Sequence, residues 1–158
     1  MKGVSIIAAL SSNRVIGDKG KIPWHIPEDF KLFKEKTINS VVIMGSKTWD
    51  SLPIKPLPER INIVLSSRKL QLPLGVECFS SIESAIKYAK KFNKDIFLIG
   101  GSKVYSDGMK YCDKMFLSHV KGEFNGDTVF PEFNSEKWTV FFEKEYSDFV
   151  FKEYHRKS

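Results

Sequence analysis

SVVIMGSKTW, residues 40–49, contains the pattern from which the fold class can be argued. Its first half is a run of apolar, mostly β-branched residues without polar alternation, which is typical of a strand buried on both faces. A glycine and a serine follow, and residues of these types often begin a helix. The stretch therefore predicts a buried strand that leads directly into a helix.

The same pattern recurs elsewhere, because apolar runs alternate with segments of helical character along most of the chain. Strands that are apolar on both faces and alternate with helices indicate a largely parallel sheet covered on both sides. We predict strands at VSIIAAL (4–10), SVVIMG (40–45), INIVLSS (61–67), VECFS (76–80), DIFLIGG (95–101) and KMFLSHV (114–120), and helices at PEDFKLFKEKT (27–37), KTWDSL (47–52), SIESAIKYAKKF (81–92) and SKVYSDGMKY (102–111).

The end of the chain has a different pattern. WTVFFEKEY (138–146) and FVFKEYHRK (149–157) alternate apolar and polar residues around a short Ser-Asp turn, which is typical of an antiparallel hairpin. With 158 residues, the chain suffices for one domain with a sizeable core but not for two ordinary domains. The expected fold is α/β, a single domain over residues 1–158. It has a mostly parallel central sheet flanked by about four helices and a C-terminal antiparallel hairpin.

Composition and charge argue against several classes of protein. With 42% hydrophobic residues, the chain should fold rather than stay disordered, and no apolar stretch is long enough to span a membrane. The net charge of +6 comes from cations interleaved with acids, without a base-reading motif, so nucleic acid is a minor alternative. Cys78 and Cys112 fit reduced thiols of a cytoplasmic protein. Neither the cysteines nor the three histidines have metal-ligand spacing, and we predict no metal site.

IPWHIPEDF, residues 22–30, raises the question of why an aspartate stands at position 29. Pro27 suits the first position of a helix. At about 100° per residue, Asp29 then falls on the apolar side of that helix. Ahead of it, residues 11–25 form a long glycine-containing loop of the kind that often serves as a lid. The apolar side of the helix comprises Ile26, Phe30, Leu32, Phe33 and Thr37.

Two interpretations of Asp29 stay open at this point. An acid in the first turn of a helix meets free amides and the positive end of the helix dipole, which is a purely structural role. That role does not explain why Asp29 faces inward while Glu28 faces out. The second interpretation is a ligand that needs a buried carboxylate, because an uncompensated charge on an apolar face is costly.

Two strand-to-helix junctions, SVVIMG–SKTW and DIFLIGG–SKVY, each place glycine and serine at a helix start. Free N–H groups and the helix dipole make each junction a candidate phosphate site, and two junctions suggest a ligand with more than one phosphate. The G-x-G-x-x-G fingerprint is absent, which argues against a standard Rossmann site. Residues 66–68, SSR, are a third candidate, for which a solvated strand end is the simpler interpretation.

Several segments occur in the order and spacing of one family: IAAL, NRVIG, IPWHIPEDFKLFK, VVIMGSKTW, LPER, NIVLSS, FLIGGSKVY and EFNGDTVFP. Along essentially its whole length the chain resembles dihydrofolate reductase of the bacterial chromosomal type. The resemblance implies NADPH-dependent reduction of 7,8-dihydrofolate to 5,6,7,8-tetrahydrofolate for one-carbon metabolism. Hydride would pass from nicotinamide C4 to pterin C6, with protonation at N5. It further implies a cytoplasmic monomer that folate analogues inhibit.

The same resemblance assigns roles to individual residues. Asp29 would bind the 2-amino group and ring N3 of the pterin, and its charge would favour protonation of the nearby nitrogen. Trp24 would help to hold an ordered water, and Arg60 would clamp the α-carboxylate of the glutamate tail. By periodicity alone the apolar residues among the remainder are core residues. The other implied substrate-binding residues are Ile7, Phe30, Phe33, Leu52, Leu57, Ile99 and Ser118.

For the cofactor NADPH, the resemblance implies a site along both junctions and a cis peptide bond between Gly100 and Gly101. Two positions depart from the family pattern. Ser46 stands where many relatives carry arginine, so recognition of the 2′-phosphate rests on Lys47 and Arg68; Ser118 stands where threonine is commoner. The implied cofactor-binding residues are Ala9, Val15, Ile16, Gly17, Gly20, Lys47, Thr48, Ser66, Ser67, Arg68, Gly100, Gly101, Ser102, Lys103, Val104 and Tyr105.

Two alternative functions belong to different classes. The related pyrimidine reductase of riboflavin synthesis would share the sheet and the cofactor cleft, and a non-catalytic folate-binding domain would share the substrate pocket. The segment from Trp24 to Asp29, together with Arg60, argues against the first alternative, because these residues suit a pterin with a glutamate tail. No residue that the resemblance assigns to catalysis is missing, which argues against the second.

Overall fold

The computed structural model describes residues 2–158, and this part of the chain contains ten strands and four α-helices. The first and last strands of the main sheet were predicted within a residue of their observed bounds. The strands are β1 (Val4–Leu10), β2 (Val15–Gly17), β3 (Val41–Gly45), β4 (Ile61–Leu65), β5 (Glu77–Phe79), β6 (Ile96–Leu98), β7 (Lys114–Val120), β8 (Thr128–Val129), β9 (Trp138–Glu145) and β10 (Phe149–Arg156).

Eight of these strands form one sheet in the order β5-β4-β3-β6-β1-β7-β10-β9. The pairs from β5 to β7 are all parallel, whereas β10 pairs antiparallel with both β7 and β9. The predicted α/β class, with a mostly parallel sheet and a C-terminal hairpin, is confirmed. Since parallel strands end at the same edge of a sheet, the residues after β1, β3, β4 and β6 share one edge, where ligands bind in folds of this type.

The helices are α1 (Pro27–Thr37), α2 (Ser46–Ser51), α3 (Ile82–Ala89) and α4 (Ser102–Gly108). The predicted bounds of α1 are confirmed, with Pro27 as its first residue. The helices α3 and α4 are shorter than predicted, because each continues as a single 3₁₀ turn, at residues 90–92 and 109–111. Asn93 then adopts a left-handed conformation and ends the first of these segments.

Alternate residues of the central strands pack on opposite faces of the sheet, as strands buried on both sides require. Ile6 packs against α3 and α4 on one face, and Ile7 packs against α1 and α2 on the other. The strand β3 divides in the same way between Ile43 and Met44. Each face therefore has its own apolar core, and the core beneath α1 is the one that contains Asp29.

One pair of strands was not predicted. Val15 to Gly17 pair antiparallel with Thr128 and Val129, which lie more than a hundred residues away. A bridge between Asp18 and Lys21 continues this structure into the loop before α1. None of the helices within residues 2–158 is both long enough and apolar enough to cross a membrane.

Candidate active site

Asp29 lies in the first turn of α1, and its side chain turns toward the sheet. Its Oδ1 accepts a hydrogen bond of 2.6 Å from the Ser118 hydroxyl on β7. Burial raises the pKa of Asp29 above its ordinary value of 3.8, and the Ser118 hydrogen bond lowers it in part. The carboxylate is therefore held in one place and carries a raised proton affinity, the combination expected of a functional acid.

The sheet-facing side of α1 is narrower than the sequence predicts. Leu32 and Phe33 pack on the sheet beneath α1, and Thr37 is fully buried. Phe30, expected on the same side, is 43% exposed, with its ring 5.6 Å from the ring of His25. The side of α1 that packs on the sheet thus does not include Phe30. Phe30 is therefore free to contact a ligand beside the helix.

Most of the predicted apolar walls of the substrate site share the core beneath α1. They come from distant parts of the chain: the first strand, the first helix, the segment between α2 and β4, and the end of β6. Ile7 is buried, and the others are partly buried, as expected of side chains at the edge of a core. The residues that the structure brings together in this way are Ile7, Phe33, Leu52, Leu57 and Ile99.

The two strand-to-helix junctions meet at the sheet edge. The Gly45 N–H donates a 2.8 Å hydrogen bond to the Gly100 carbonyl oxygen, and the peptide bond between Gly100 and Gly101 is cis, as the resemblance implied. Gly100 has φ of 121°, a region that favours glycine, and a Cβ there would lie 3.5 Å from the Thr48 hydroxyl. The junctions thus form a cradle of bare backbone that side chains at these glycines would fill.

Tyr105 links this cradle to the substrate side. Its hydroxyl donates a 2.9 Å hydrogen bond to the Ile7 carbonyl oxygen, and the side chain is almost fully buried. Burial, and to a smaller extent the negative charge of Asp29, raise the pKa of Tyr105 well above its ordinary value of 10.0. Tyr105 therefore stays a neutral donor, and its hydrogen bond joins α4, which begins at the glycine cradle, to Ile7 of the predicted substrate site.

Arg60 is half-buried, and two acceptors fix its guanidinium. Nε donates to the Pro58 carbonyl oxygen at 2.9 Å, and Nη1 donates to the Thr37 hydroxyl at 3.1 Å. Within residues 2–158 no carboxylate forms an ion pair with Arg60. Burial lowers the pKa of Arg60 below the ordinary value of a guanidinium, and the negative charge of the neighbouring Glu59 opposes this shift. An oriented cation with free N–H groups suits a carboxylate ligand. The sequence indicated Arg60 but not the contribution of Thr37.

The loop before α1 is tethered to the segment around β8. The Lys19 N–H donates a 3.1 Å hydrogen bond to the Asp127 carboxylate. Trp24 packs edge-on against Phe124, with 5.0 Å between ring centroids. No role was predicted for Asp127 or Phe124 from the sequence. Their only sequence signal was the segment EFNGDTVFP, which carries no side-chain pattern that predicts a contact with a loop so far away.

Further predicted cofactor residues lie at the starts of α2 and α4 and directly after β4. The Ser102 hydroxyl donates to the Val129 carbonyl oxygen at 2.8 Å, which joins the start of α4 to β8. Lys103 is 88% exposed on its side chain and pairs with Asp107 at 3.1 Å, so its charge is already partnered within the helix. Ser66 accepts a 3.1 Å hydrogen bond from the Arg68 N–H. Arg68 and Lys47 are exposed, and both stay predicted phosphate ligands.

Comparison with known proteins gives consistent results. The family model for dihydrofolate reductase matches residues 3–156. A dihydrofolate reductase of Buchnera aphidicola subsp. Acyrthosiphon pisum (strain APS) is 46% identical over 142 residues, covering 89% of this chain and 87% of the relative. That of Haemophilus influenzae (strain ATCC 51907 / DSM 11121 / KW20 / Rd) is 41% identical over 140 residues, covering 89% and 86%. Among solved structures, dihydrofolate reductase from Enterococcus faecalis complexed with NADP(H) and RAB-propyl superposes with a TM-score of 0.88 and 33% identity, covering 99% of this chain and 97% of that one.

Proposed function

The chain belongs to the dihydrofolate reductase family, and from that premise we propose that the residues around Asp29 reduce 7,8-dihydrofolate to 5,6,7,8-tetrahydrofolate with NADPH. The observation that carries the proposal is the half-buried carboxylate of Asp29, held by Ser118 in an otherwise apolar core. A flat ring with several donors needs such an acceptor. The product would supply one-carbon metabolism, and folate analogues should inhibit the enzyme.

The cradle of Gly45, Gly100 and Gly101 fits a dinucleotide, because its glycines keep a path of bare backbone open beside Thr48. When bound there, NADPH supplies the hydride that reduces C6 of the pterin. The chain's own residues hold and orient the reactants: Tyr105 and Ile7 fix the wall between the two sites through their hydrogen bond. Lys47 and Arg68 would carry the preference for the 2′-phosphate, because Ser46 brings no charge.

Asp29 would accept hydrogen bonds from the 2-amino group and N3 of the pterin. Its negative charge in a largely apolar site stabilises positive charge on the ring, which favours protonation at N5. Trp24, packed against Phe124 at the end of the loop, would hold the water that brings the proton. In this arrangement Asp29 orients the ring and raises its basicity, and the proton itself comes from solvent.

A single assay tests the reaction. The purified chain should oxidise NADPH, followed by its absorbance, only when 7,8-dihydrofolate is present. The pyrimidine reductase of riboflavin synthesis would instead require a ribosylated pyrimidine, and a folate-binding domain would bind without oxidising NADPH. Dihydrofolate-independent oxidation, or binding alone, would contradict the proposal.

Arg60→Leu is expected to raise KM for dihydrofolate about 30-fold, because the glutamate carboxylate loses a charged, oriented partner worth about 2 kcal/mol. KM for NADPH should change little, since Arg60 lies at the start of β4 and away from the glycine cradle. Steady-state kinetics with each substrate varied in turn measures both values. Equal losses for the two substrates would show that Arg60 supports the fold rather than the substrate.

Ser118→Ala removes the hydroxyl that stabilises the ionised form of Asp29. The pKa of Asp29 should rise further, so at a given acidic pH less of the carboxylate is ionised. The acidic limb of the pH profile of kcat/KM for dihydrofolate should therefore move to higher pH. The loss at neutral pH should stay below about tenfold. Ser118→Thr keeps the hydroxyl and should retain the parent profile; a profile unchanged in the alanine variant would exclude this role.

The protein is further proposed to act as a cytoplasmic monomer of one domain. Its two cysteines are unpaired thiols, as is usual in a reducing compartment. The outer strand β9 exposes Phe141 and Phe142 but also carries charges at residues 143–145, and charges on an edge strand oppose pairing with a second copy. Sedimentation at micromolar concentration should give a single species of 18.1 kDa.

A further inference from the structure

Asn62 is a buried amide in an apolar strand. It is the second residue of β4, INIVL, and only 3% exposed, whereas its neighbours in the strand are aliphatic. Burial of a carboxamide among apolar side chains is unfavourable unless each polar atom finds a partner. The partners of Asn62 therefore indicate why the strand carries it.

All three hydrogen bonds of the Asn62 side chain go to the backbone of the segment just before β4. Oδ1 accepts from the Leu57 N–H at 2.9 Å. Nδ2 donates to the Leu57 carbonyl oxygen at 3.1 Å and to the Arg60 carbonyl oxygen at 3.0 Å. One side chain thus joins both ends of residues 57–60, LPER, and closes them into a loop.

That loop includes the acceptor that orients the Arg60 guanidinium. The Pro58 carbonyl oxygen accepts a hydrogen bond from the Nε–H of Arg60. Pro58 lies between Leu57 and Arg60, the two residues to which Asn62 is hydrogen-bonded. Glu59 adopts φ of 59°, a conformation that non-glycine residues seldom hold without support. The backbone of this segment is held by the three hydrogen bonds of the Asn62 side chain and by the Asn39 N–H, which donates to the Glu59 carbonyl oxygen at 2.9 Å.

From these contacts we infer that Asn62 is the positioning residue for Arg60, and that it sets the affinity for the glutamate tail of the substrate. The inference rests on the proposed role of Arg60 as the carboxylate clamp. Asn62 is only 3% exposed, and its side chain bonds to the protein backbone, so it is not expected to contact the substrate itself. It acts by holding Leu57 and Arg60 in place, so that the guanidinium presents its free N–H groups in a fixed direction, as bidentate recognition of a carboxylate requires.

The test compares two substrates, 7,8-dihydrofolate and 6-methyl-7,8-dihydropterin, which has the same ring but no glutamate. In Asn62→Ala, KM for dihydrofolate should rise about tenfold while its kcat stays close to the parent value. The kcat/KM for the tail-free pterin and KM for NADPH should change little. Ile86→Ala is the matched control, because it truncates a buried side chain on the opposite face of the sheet. It should lower thermal stability without distinguishing between the substrates.

A double-mutant cycle with Arg60→Leu separates this inference from the proposed function on which it rests. Adding Asn62→Ala to Arg60→Leu should cause no further loss for dihydrofolate, because the group that Asn62 positions is already gone. Additive losses, or equal losses for both substrates in Asn62→Ala, would overturn the role of Asn62 while Arg60 kept its own. If Arg60→Leu itself fails to distinguish the substrates, the clamp is wrong and the inference is overturned with it.

If Asn62→Ala is too unstable to assay, a second variant and a measurement that needs no substrate can be used instead. Asn62→Asp has nearly the same size and keeps an acceptor for Leu57, but it offers no donor to the two carbonyl oxygens. It should give the same substrate-selective rise in KM. In nuclear magnetic resonance spectra of the parent, the Arg60 Nε–H should exchange slowly with water, and this protection should be lost in Asn62→Asp. Retained protection would contradict the inference.

Discussion

Asp29→Asn is expected to lower kcat for dihydrofolate roughly a thousandfold at neutral pH, because one preorganised charge at the reacting ring supplies stabilisation of that size. The amide has nearly the same shape, so NADPH binding should be almost unchanged. The residual activity should increase toward acidic pH, since the ring must then take its proton without help from a nearby negative charge. Steady-state kinetics over a pH series and NADPH titration by fluorescence measure these effects.

The same substitution should stabilise the protein at neutral pH. Burial raises the pKa of Asp29 above 3.8 in the folded protein, so the folded state binds this proton more tightly than the unfolded state. The ionised carboxylate therefore costs stability above the folded pKa, and the cost disappears as the pH falls through that pKa and below 3.8. Asp29→Asn should raise the melting temperature at neutral pH, and the difference from the parent should narrow in acid.

Glu28→Gln is the matched control, because Glu28 is the neighbouring carboxylate of the same helix turn and is exposed. It should leave kcat and its pH dependence unchanged. A variant Asp29→Asn that keeps full turnover across the pH range would exclude the proposed role. A variant that loses turnover and is also less stable at neutral pH would instead indicate that the carboxylate supports the helix start, as the structural interpretation of an acid in the first turn holds.

The main sheet could be predicted from the sequence because its strands are short, apolar on both faces and separated by helices. The bounds of α1 followed from Pro27 and from the apolar period, and both signals are local. The short pair of β2 and β8 could not be predicted, because two or three residues carry no period and the pairing joins positions more than a hundred residues apart. Its stability comes from tertiary contacts, which a local pattern does not encode.

Some residues of the candidate site could likewise be predicted from the sequence, and others could not. Asp29 could be singled out because a charge on an apolar stripe breaks a local rule, and such exceptions often mark function. Thr37 and Asn62 also break a local rule, since each is polar at a buried position. Their partners, Arg60 and the backbone of residues 57–60, become visible only in three dimensions. For Phe30 the local pattern gave the wrong prediction: the helical period places its side chain toward the sheet, whereas in the structure it is 43% exposed.

Gly126 carries the second large expected effect, and it acts through the loop that leads to the active site. A Cβ at this position would lie 2.5 Å from the carbonyl oxygen of Gly17 and would overlap the Val15 side chain. Because a backbone oxygen cannot turn aside like a side chain, Gly126→Val must push the segments of β2 and β8 apart. Neighbouring links between the segments, from Asp127 to Lys19 and from Phe124 to Trp24, should be disturbed as well.

Gly126→Val is therefore expected to lower the rate of hydride transfer about 100-fold, the size of effect that a displacement of about 1 Å at reacting groups can cause. The melting temperature should fall by only a small amount, because Gly126 lies outside both apolar cores. Stopped-flow measurement of a single turnover gives the rate of hydride transfer. The isotope effect on steady-state turnover, measured with NADPH deuterated at the transferred position, should become larger because hydride transfer becomes rate-limiting. Asn125→Val introduces the same side chain at the adjacent exposed residue and should retain the parent rate. If Gly126→Val keeps that rate too, the contact between the two segments does not position the loop for catalysis.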